Sequence, residues 1–146
     1  MKYLLIPILL FFTATVNAQT SNWVSYHQHG YNLELPDFFL PVASQDSSKD
    51  VFTNTNNKDI TLYVESTPID KIAFNSKYIT ETGNSGITYK LIKDNVYTVT
   101  YSDSKTVNYH KSFLSNGIAH TLIVTYPNNN KSGFELTLQR IGKSFK

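Results

Sequence analysis

The chain has 146 residues, no cysteine, and 13 basic against 11 acidic side chains, which gives a formal charge of +2. This length is typical of one compact domain, and the lack of cysteine excludes disulfide bonds, thiol catalysis and cysteine-based metal sites. A nearly neutral chain without a run of lysine or arginine lacks the positive patch that nucleic-acid binding requires. We therefore expect no nucleic acid among its partners.

Residues 1–18 have the parts of a secretory signal peptide. Lys2 supplies a positive start, residues 4–12 are almost all apolar, and small residues lead up to Ala18. The apolar stretch is shorter than the roughly 20 residues of a transmembrane helix, although an uncleaved anchor is the alternative. The sequence predicts cleavage after Ala18, a single domain at 19–146, no membrane insertion after cleavage, and a periplasmic or secreted location.

Alternating apolar and polar residues predict two strands in the first half of this domain. Residues 31–35 alternate in this way and end at Pro36, which cannot donate to a strand ladder. Residues 60–65 show the same alternation. We interpret the polar stretches 43–50 and 54–59 as loops.

A helix is predicted to begin at Thr67. Thr67 offers a capping hydroxyl, Pro68 suits the first helical turn, and Asp70 places an acidic group where backbone N–H groups lack partners. The pattern fades near Thr80 and a break follows at residues 83–86. The face predicted to be buried consists of Ile69, Ile72, Ala73 and Ser76.

The second half reads as an antiparallel meander followed by a helix. The predicted strands are residues 88–92, 96–101, 107–114 and 118–126. Asn116-Gly117 favours a tight hairpin, because both residues tolerate positive φ angles. The last strand is apolar on both faces, which indicates a central strand covered on both sides.

The final apolar pattern predicts a helix that packs on this sheet. Ser132 and Glu135 have the spacing of a capping box. The apolar residues recur at helical intervals of 4, 3 and 4. They are Phe134, Leu138, Ile141 and Phe145.

Several segments together resemble the PsbP-like superfamily, which also holds the Mog-type nuclear-import regulators and many exported bacterial domains. They are the segments 30–36, 88–90 and 109–111, the pair Tyr126-Pro127, and the end of the last helix at 141–145. The resemblance covers most of residues 19–146. It implies an α+β fold, a single-domain α/β/α sandwich with a central, mainly antiparallel sheet and a C-terminal helix packed on it. It also implies an accessory or binding protein of the exported bacterial kind.

The sequence contains no motif for nucleophilic catalysis. It has neither a G-x-S-x-G nor an H-E-x-x-H pattern. Residues 102–105 match S-x-x-K, but they lie in a predicted turn and the partner K-T-G motif is missing. We therefore predict a protein that is not an enzyme and has no cofactor.

Two histidines offer an alternative, a small metal-binding protein or metal-dependent enzyme. His27 and His29 would lie on the same side of an extended segment, roughly 6 to 7 Å apart. Zinc requires three or four ligands. His110 or His120 and a carboxylate such as Asp37 would therefore have to converge on the pair.

The ten tyrosines are the remaining unusual feature. Tyrosine forms rigid contact surfaces with a polar tip, but aromatic residues also simply fit a pleated sheet. If a recognition face exists, its predicted members are Trp23, Tyr26, Tyr97, Tyr101, Tyr109 and His110. The sequence thus favours an exported accessory or binding domain with an unknown protein or small-molecule partner, and a dimer-forming structural subunit is a further alternative.

Overall fold

The computed structural model describes residues 21–146 and contains nine strands and two α-helices in that range. The strands are β1 (Trp23–Gln28), β2 (Tyr31–Pro36), β3 (Phe39–Val42), β4 (Lys49–Asn54), β5 (Thr61–Pro68), β6 (Ile87–Lys93), β7 (Val96–Ser102), β8 (Thr106–Ser115) and β9 (Ile118–Pro127). Helix α1 (Lys71–Thr82) lies between β5 and β6, and α2 (Lys131–Ser144) follows a 3-10 turn. The predicted signal peptide, residues 1–18, lies outside the described residues, and its cleavage stays a prediction.

Seven strands form one antiparallel sheet in the order β3-β4-β5-β9-β8-β7-β6, and β1 pairs with β2 in a separate hairpin. Strand β9 is central, as its two apolar faces predicted. Helix α1 covers one surface of the sheet, the α1 face, while α2 and the β1–β2 hairpin cover the other, the α2 face. The predicted α/β/α sandwich is therefore confirmed, with the hairpin as an added part of one outer layer. Neither helix within residues 21–146 has the length and apolar character needed to cross a membrane.

The larger core lies on the α2 face, and α2 contributes to it as predicted. Its four apolar residues Phe134, Leu138, Ile141 and Phe145 are all buried. The Phe145 ring lies 5.6 Å from the ring of Tyr31 and 5.1 Å from that of Phe113, measured between centroids. This helix therefore joins the hairpin layer to the sheet.

The chain beyond α2 also pairs with the open edge of β2. The Asn32 amide donates to the Lys146 carbonyl at 2.8 Å, and the Lys146 amide donates to the Asn32 carbonyl at 3.2 Å. The hydroxyl of Ser144 accepts from the amide of Glu34 at 2.9 Å. The first hairpin and the last helix thus hold each other in place.

Helix α1 differs from its prediction in both its start and its buried face. Strand β5 continues through Pro68, so the cap is Asp70, whose carboxylate accepts from the Ala73 amide at 2.8 Å. The buried side chain of α1 is Phe74, whereas Ile72 on the predicted face is 79% exposed. The predicted cap is therefore wrong. Of the predicted face, Ile69 packs partly buried against the core, whereas Ile72, Ala73 and Ser76 are exposed.

The smaller core on the α1 face is built around Phe74. Its ring lies 5.1 Å from the ring of Tyr97, and Val99 and Ala119 complete the buried cluster. All three partners come from β7 and β9. Phe74 is therefore the main apolar anchor of α1, and the partly buried Tyr78 packs beside it.

Of three further local predictions, one is correct in part, one is wrong and one is confirmed. Residues 43–48 form a loop as predicted, but strand β4 begins at Lys49, inside the predicted stretch 43–50. The cap of α2 is Asn130, and Ser132 lies inside the helix, so the two residues of the predicted capping box do not cap it. The β8–β9 hairpin turns at Asn116 and Gly117, both with positive φ, as expected.

His120 is a buried histidine on the α2 face of β9. It is 2% exposed, and its Nδ1 lies 2.9 Å from the Ser66 hydroxyl. Burial lowers the pKa of His120 below its ordinary 6.5, and the nearby His29 lowers it further. The folded protein therefore keeps this ring neutral.

We expect this ring to make stability depend on pH. The unfolded chain binds a proton at His120 near pH 6.5, and the folded chain binds it only at lower pH, so the free energy of unfolding falls as pH drops below about 6.5. His120→Gln should flatten this dependence in urea unfolding followed by circular dichroism between pH 7.5 and 5. The exposed His27→Gln is the matched control, and an equal flattening in both variants would contradict the assignment.

Candidate functional site

A groove of about 580 Å³ lies on the α2 face, between α2 and strands β6 to β8. It exists because α2 packs mainly against β2 and β9 and leaves the outer strands of this face uncovered. We call it the α2 groove. Its floor carries Thr98, Thr100 and Tyr109, and Tyr89 forms its outer rim.

The strand register explains why these side chains share one surface. Thr100 lies opposite Tyr109 in the β7–β8 ladder and opposite Tyr89 in the β6–β7 ladder. Directly opposed residues of antiparallel strands point to the same face. Because Tyr89 lies on the edge strand, its ring is 50% exposed. The floor and rim therefore offer two hydroxyl groups and two phenol rings.

The wall of the α2 groove is one face of α2. Its groove-lining residues include Lys131, Glu135, Gln139 and Lys143, which are spaced four apart and so lie along one side of the helix. Both lysines are exposed. The ion pairs found within residues 21–146 involve neither of them. The wall thus presents two ammonium groups and one carboxylate.

Lys111 and Tyr109 fix the inner end of the groove to α2. The Lys111 ammonium donates to the carbonyls of Gly142 and Phe145 at 2.7 and 2.8 Å. Burial lowers the pKa of Lys111 and raises that of Tyr109 to about 12. The Tyr109 hydroxyl lies against Gly142, where a Cβ atom would collide with it. The end of the helix is therefore held by groove residues.

A second polar cluster lies on the α1 face, where Glu81 of α1 contacts Tyr97 of β7 and His110 of β8. His110 Nδ1 is 3.2 Å from Glu81 Oε2, and the Tyr97 hydroxyl donates to Glu81 Oε1 at 3.0 Å. The Tyr101 hydroxyl is 3.5 Å from His110 Nε2. Burial, and then the Glu81 charge, raise the pKa of both tyrosines. Through these hydrogen bonds the cluster joins α1 to the sheet.

The six predicted recognition residues occupy three places. The α1 face brings together Tyr97, Tyr101 and His110, but Tyr109 faces the α2 groove because neighbouring residues of a strand point to opposite faces. The other two lie in the hairpin. The Trp23 ring stacks 3.9 Å from the Arg140 guanidinium carbon, and the Tyr26 hydroxyl donates to the Phe39 carbonyl at 3.3 Å. Their roles as partner contacts stay predictions.

The two histidines proposed as metal ligands do not lie on one extended segment. His29 follows β1 with a φ of 47°, so the prediction that both rings share one side of a strand is wrong. His27 Nδ1 is 2.5 Å from Asn32 Oδ1, and His29 Nδ1 is 2.9 Å from Asp50 Oδ2. The further ligands do not join them: among residues 21–146, no three His, Asp or Glu side chains are grouped as a metal ion would require.

Sequence reasoning missed the charged wall of the groove and Glu81. The four-residue spacing from Lys131 to Lys143 was a usable signal, since it places the side chains on one side of a helix. The pairing of Glu81 with His110 had no such signal, because the two residues come from different elements 29 positions apart. Only the tertiary structure shows this contact.

The layer order and strand pairing define an α/β/α sandwich of the PsbP/Mog type. No protein-family model matches the chain, and no curated protein matches its sequence. Among solved structures, cyanobacterial PsbP (CyanoP) from Synechocystis sp. PCC 6803 is similar with a TM-score of 0.64 and 13% identity, over 89% of this chain and 95% of that one. The Ran-binding protein Mog1p of Saccharomyces cerevisiae has a TM-score of 0.57 and 10% identity, over 87% of this chain and 96% of that one. These similarities confirm the predicted fold.

Proposed function

We propose that this protein is a non-enzymatic accessory or binding domain, exported to the periplasm or secreted, which holds its ligand in the α2 groove. The observation that carries this proposal is the groove itself. Its volume of about 580 Å³ is within the range of roughly 300 to 1,000 Å³ typical of small-molecule sites. The leader pattern of residues 1–18 supports the location.

The lining of the groove supports a binding role. Ligand sites combine apolar walls with a few polar groups that fix orientation. Here Leu138 and the rings of Tyr89 and Tyr109 supply the apolar surface, while Thr98 and Thr100 supply hydroxyl groups. The groove therefore has the mixed surface of a ligand site.

Two observations favour binding over catalysis. The histidine–carboxylate pair of His110 and Glu81 is bonded to Tyr97 and Tyr101, and these contacts serve to link α1 to the sheet. One protein of the same fold, Mog1p, is named for binding Ran. Both are consistent with an accessory role for this chain.

We expect Thr98→Phe to block the groove. The added ring would occupy space above the floor, and the strand would tolerate it because aromatic residues suit β-structure. With the neutral dye N-phenyl-1-naphthylamine, whose fluorescence rises in apolar sites, we expect the wild type to bind and the variant to bind about tenfold more weakly, an effect of about 1.4 kcal/mol.

Thr61→Phe is the matched control, because Thr61 is exposed on β5 and faces the opposite side of the sheet. We expect it to bind the dye like the wild type. Binding that Thr98→Phe leaves unchanged, or that both variants lose equally, would refute the groove as the binding site.

A further inference from the structure

The two ends of the α2 groove differ in charge. Lys131 is one helical turn from Glu135, so a carboxylate offsets the ammonium at that end. The other end of the groove is at Lys143. Within one helical turn of Lys143, the residues that line the groove are Gln139 and Gly142, and neither is charged. Lys131 and Lys143 are about 18 Å apart along the helix, so one small head group cannot contact both.

Lys111 adds a second positive charge at the Lys143 end. Its ammonium lies against the carbonyls of Gly142 and Phe145, on either side of Lys143 in the chain. The last carbonyls of a helix normally repel an anion. Here two of them already accept hydrogen bonds from Lys111, so this repulsion is offset. The Lys143 end therefore combines two cations with no lining carboxylate.

The groove also has apolar lining. Leu138 of α2, Val107 of β8 and the rings of Tyr89 and Tyr109 contribute it. An elongated ligand could therefore place an apolar body between α2 and β7 while its end reaches Lys143. One cavity therefore offers apolar surface together with two cations at the Lys143 end.

We propose that the α2 groove binds an amphiphilic anion, a small molecule that joins one acidic head group to an apolar body. The head group contacts Lys143 beside Lys111, and the apolar body lies along Leu138 and Tyr109. This inference rests on the proposed function, since it names the ligand class of the same site. Charge complementarity at the Lys143 end and the apolar lining of the same groove carry it.

A matched pair of dyes tests the charge requirement. 8-Anilinonaphthalene-1-sulfonate has an apolar body and a sulfonate, and N-phenyl-1-naphthylamine has a similar body without the charge. We expect the wild type to bind the anionic dye more tightly. Lys143→Gln should weaken binding of the anionic dye by about threefold to fivefold and binding of the neutral dye by less than about twofold.

Two further variants make the test specific. Glu135→Gln removes the carboxylate of the wall and should tighten binding of the anionic dye by about twofold. Lys58→Gln is the control, because Lys58 is exposed on the β4–β5 loop and its loss changes the net charge by the same amount. It should leave both dyes unaffected.

The possible results distinguish an error in the proposed ligand class from an error in the proposed binding site. Suppose that Thr98→Phe weakens binding of both dyes and Lys143→Gln changes neither affinity. The proposed ligand class, an amphiphilic anion, is then wrong, and the groove remains a binding site. If Lys58→Gln weakens the anionic dye as much as Lys143→Gln does, the attraction is to the whole protein, which also overturns the inference. If neither dye responds to Thr98→Phe, the proposed function itself fails.

Discussion

Phe145→Ala is expected to lower the free energy of unfolding by about 3–5 kcal/mol, the usual cost of emptying a buried aromatic site. Phe145 is 0% exposed although it follows the last residue of α2. Its ring contacts Tyr31 in the hairpin and Phe113 in the sheet, so its loss opens a cavity where three elements meet. Urea unfolding followed by circular dichroism would measure the change.

Leu136→Ala is the matched control on the same helix. Leu136 is 77% exposed, so this variant should change the free energy of unfolding by no more than about 0.5 kcal/mol. If Phe145→Ala changed the free energy of unfolding as little as Leu136→Ala does, the Phe145 ring would not be packed in the core in solution.

Phe74→Ala is expected to have the next largest effect, a loss of about 3–5 kcal/mol. Phe74 is the buried side chain of α1 and packs on Tyr97, so alanine would leave the helix without its main contact to the sheet. We also expect faster proteolysis within residues 71–82, because a helix without an apolar anchor opens locally.

Ile72→Ala decides between the two assignments of the buried face. The sequence placed Ile72 on that face, whereas the structure leaves it 79% exposed. We expect a change within about 0.5 kcal/mol and unaltered proteolysis. If Ile72→Ala proved more destabilising than Phe74→Ala, the helix would be rotated relative to the structure described above.

The two helices show what sequence patterns can and cannot predict. In α2 the apolar residues have only one consistent helical face, so Phe134 to Phe145 were assigned correctly. In α1 two faces compete, one with Ile72 and one with Phe74, and the aromatic residue is buried because it removes more apolar area from water. The local capping signal at Thr67 also failed, because strand pairing between β5 and β9 extends to Pro68.

The strands that were missed lie at the margins of the fold. They are β3 and β4, which form one end of the seven-stranded sheet. Their sequences lack clean alternation, because residues such as Lys49, Asp50 and Pro41 occupy strand positions. Pairing with a neighbouring strand, rather than local propensity, gives these segments their conformation.

The groove could be predicted only in part. Tyr109 was singled out from the sequence, and the structure places it on the groove floor. The shape of the site depends on which strands α2 leaves uncovered, and the packing of α2 against β2 and β9 determines this. Contacts between distant elements therefore decide where the cavity lies, and the sequence pattern of one helix does not contain that information.

The pairing of the first hairpin with the chain after α2 has a consequence for the order of folding. Glu34 and Ser144 are 110 positions apart, and Asn32 pairs with Lys146. Closing so long a segment costs chain entropy and slows folding. A nascent polypeptide emerging from the ribosome would carry the hairpin early, but it would lack the partner surface until α2 had been synthesised. The larger core should therefore form late. Until α2 has been synthesised, the rest of the polypeptide should stay loosely structured.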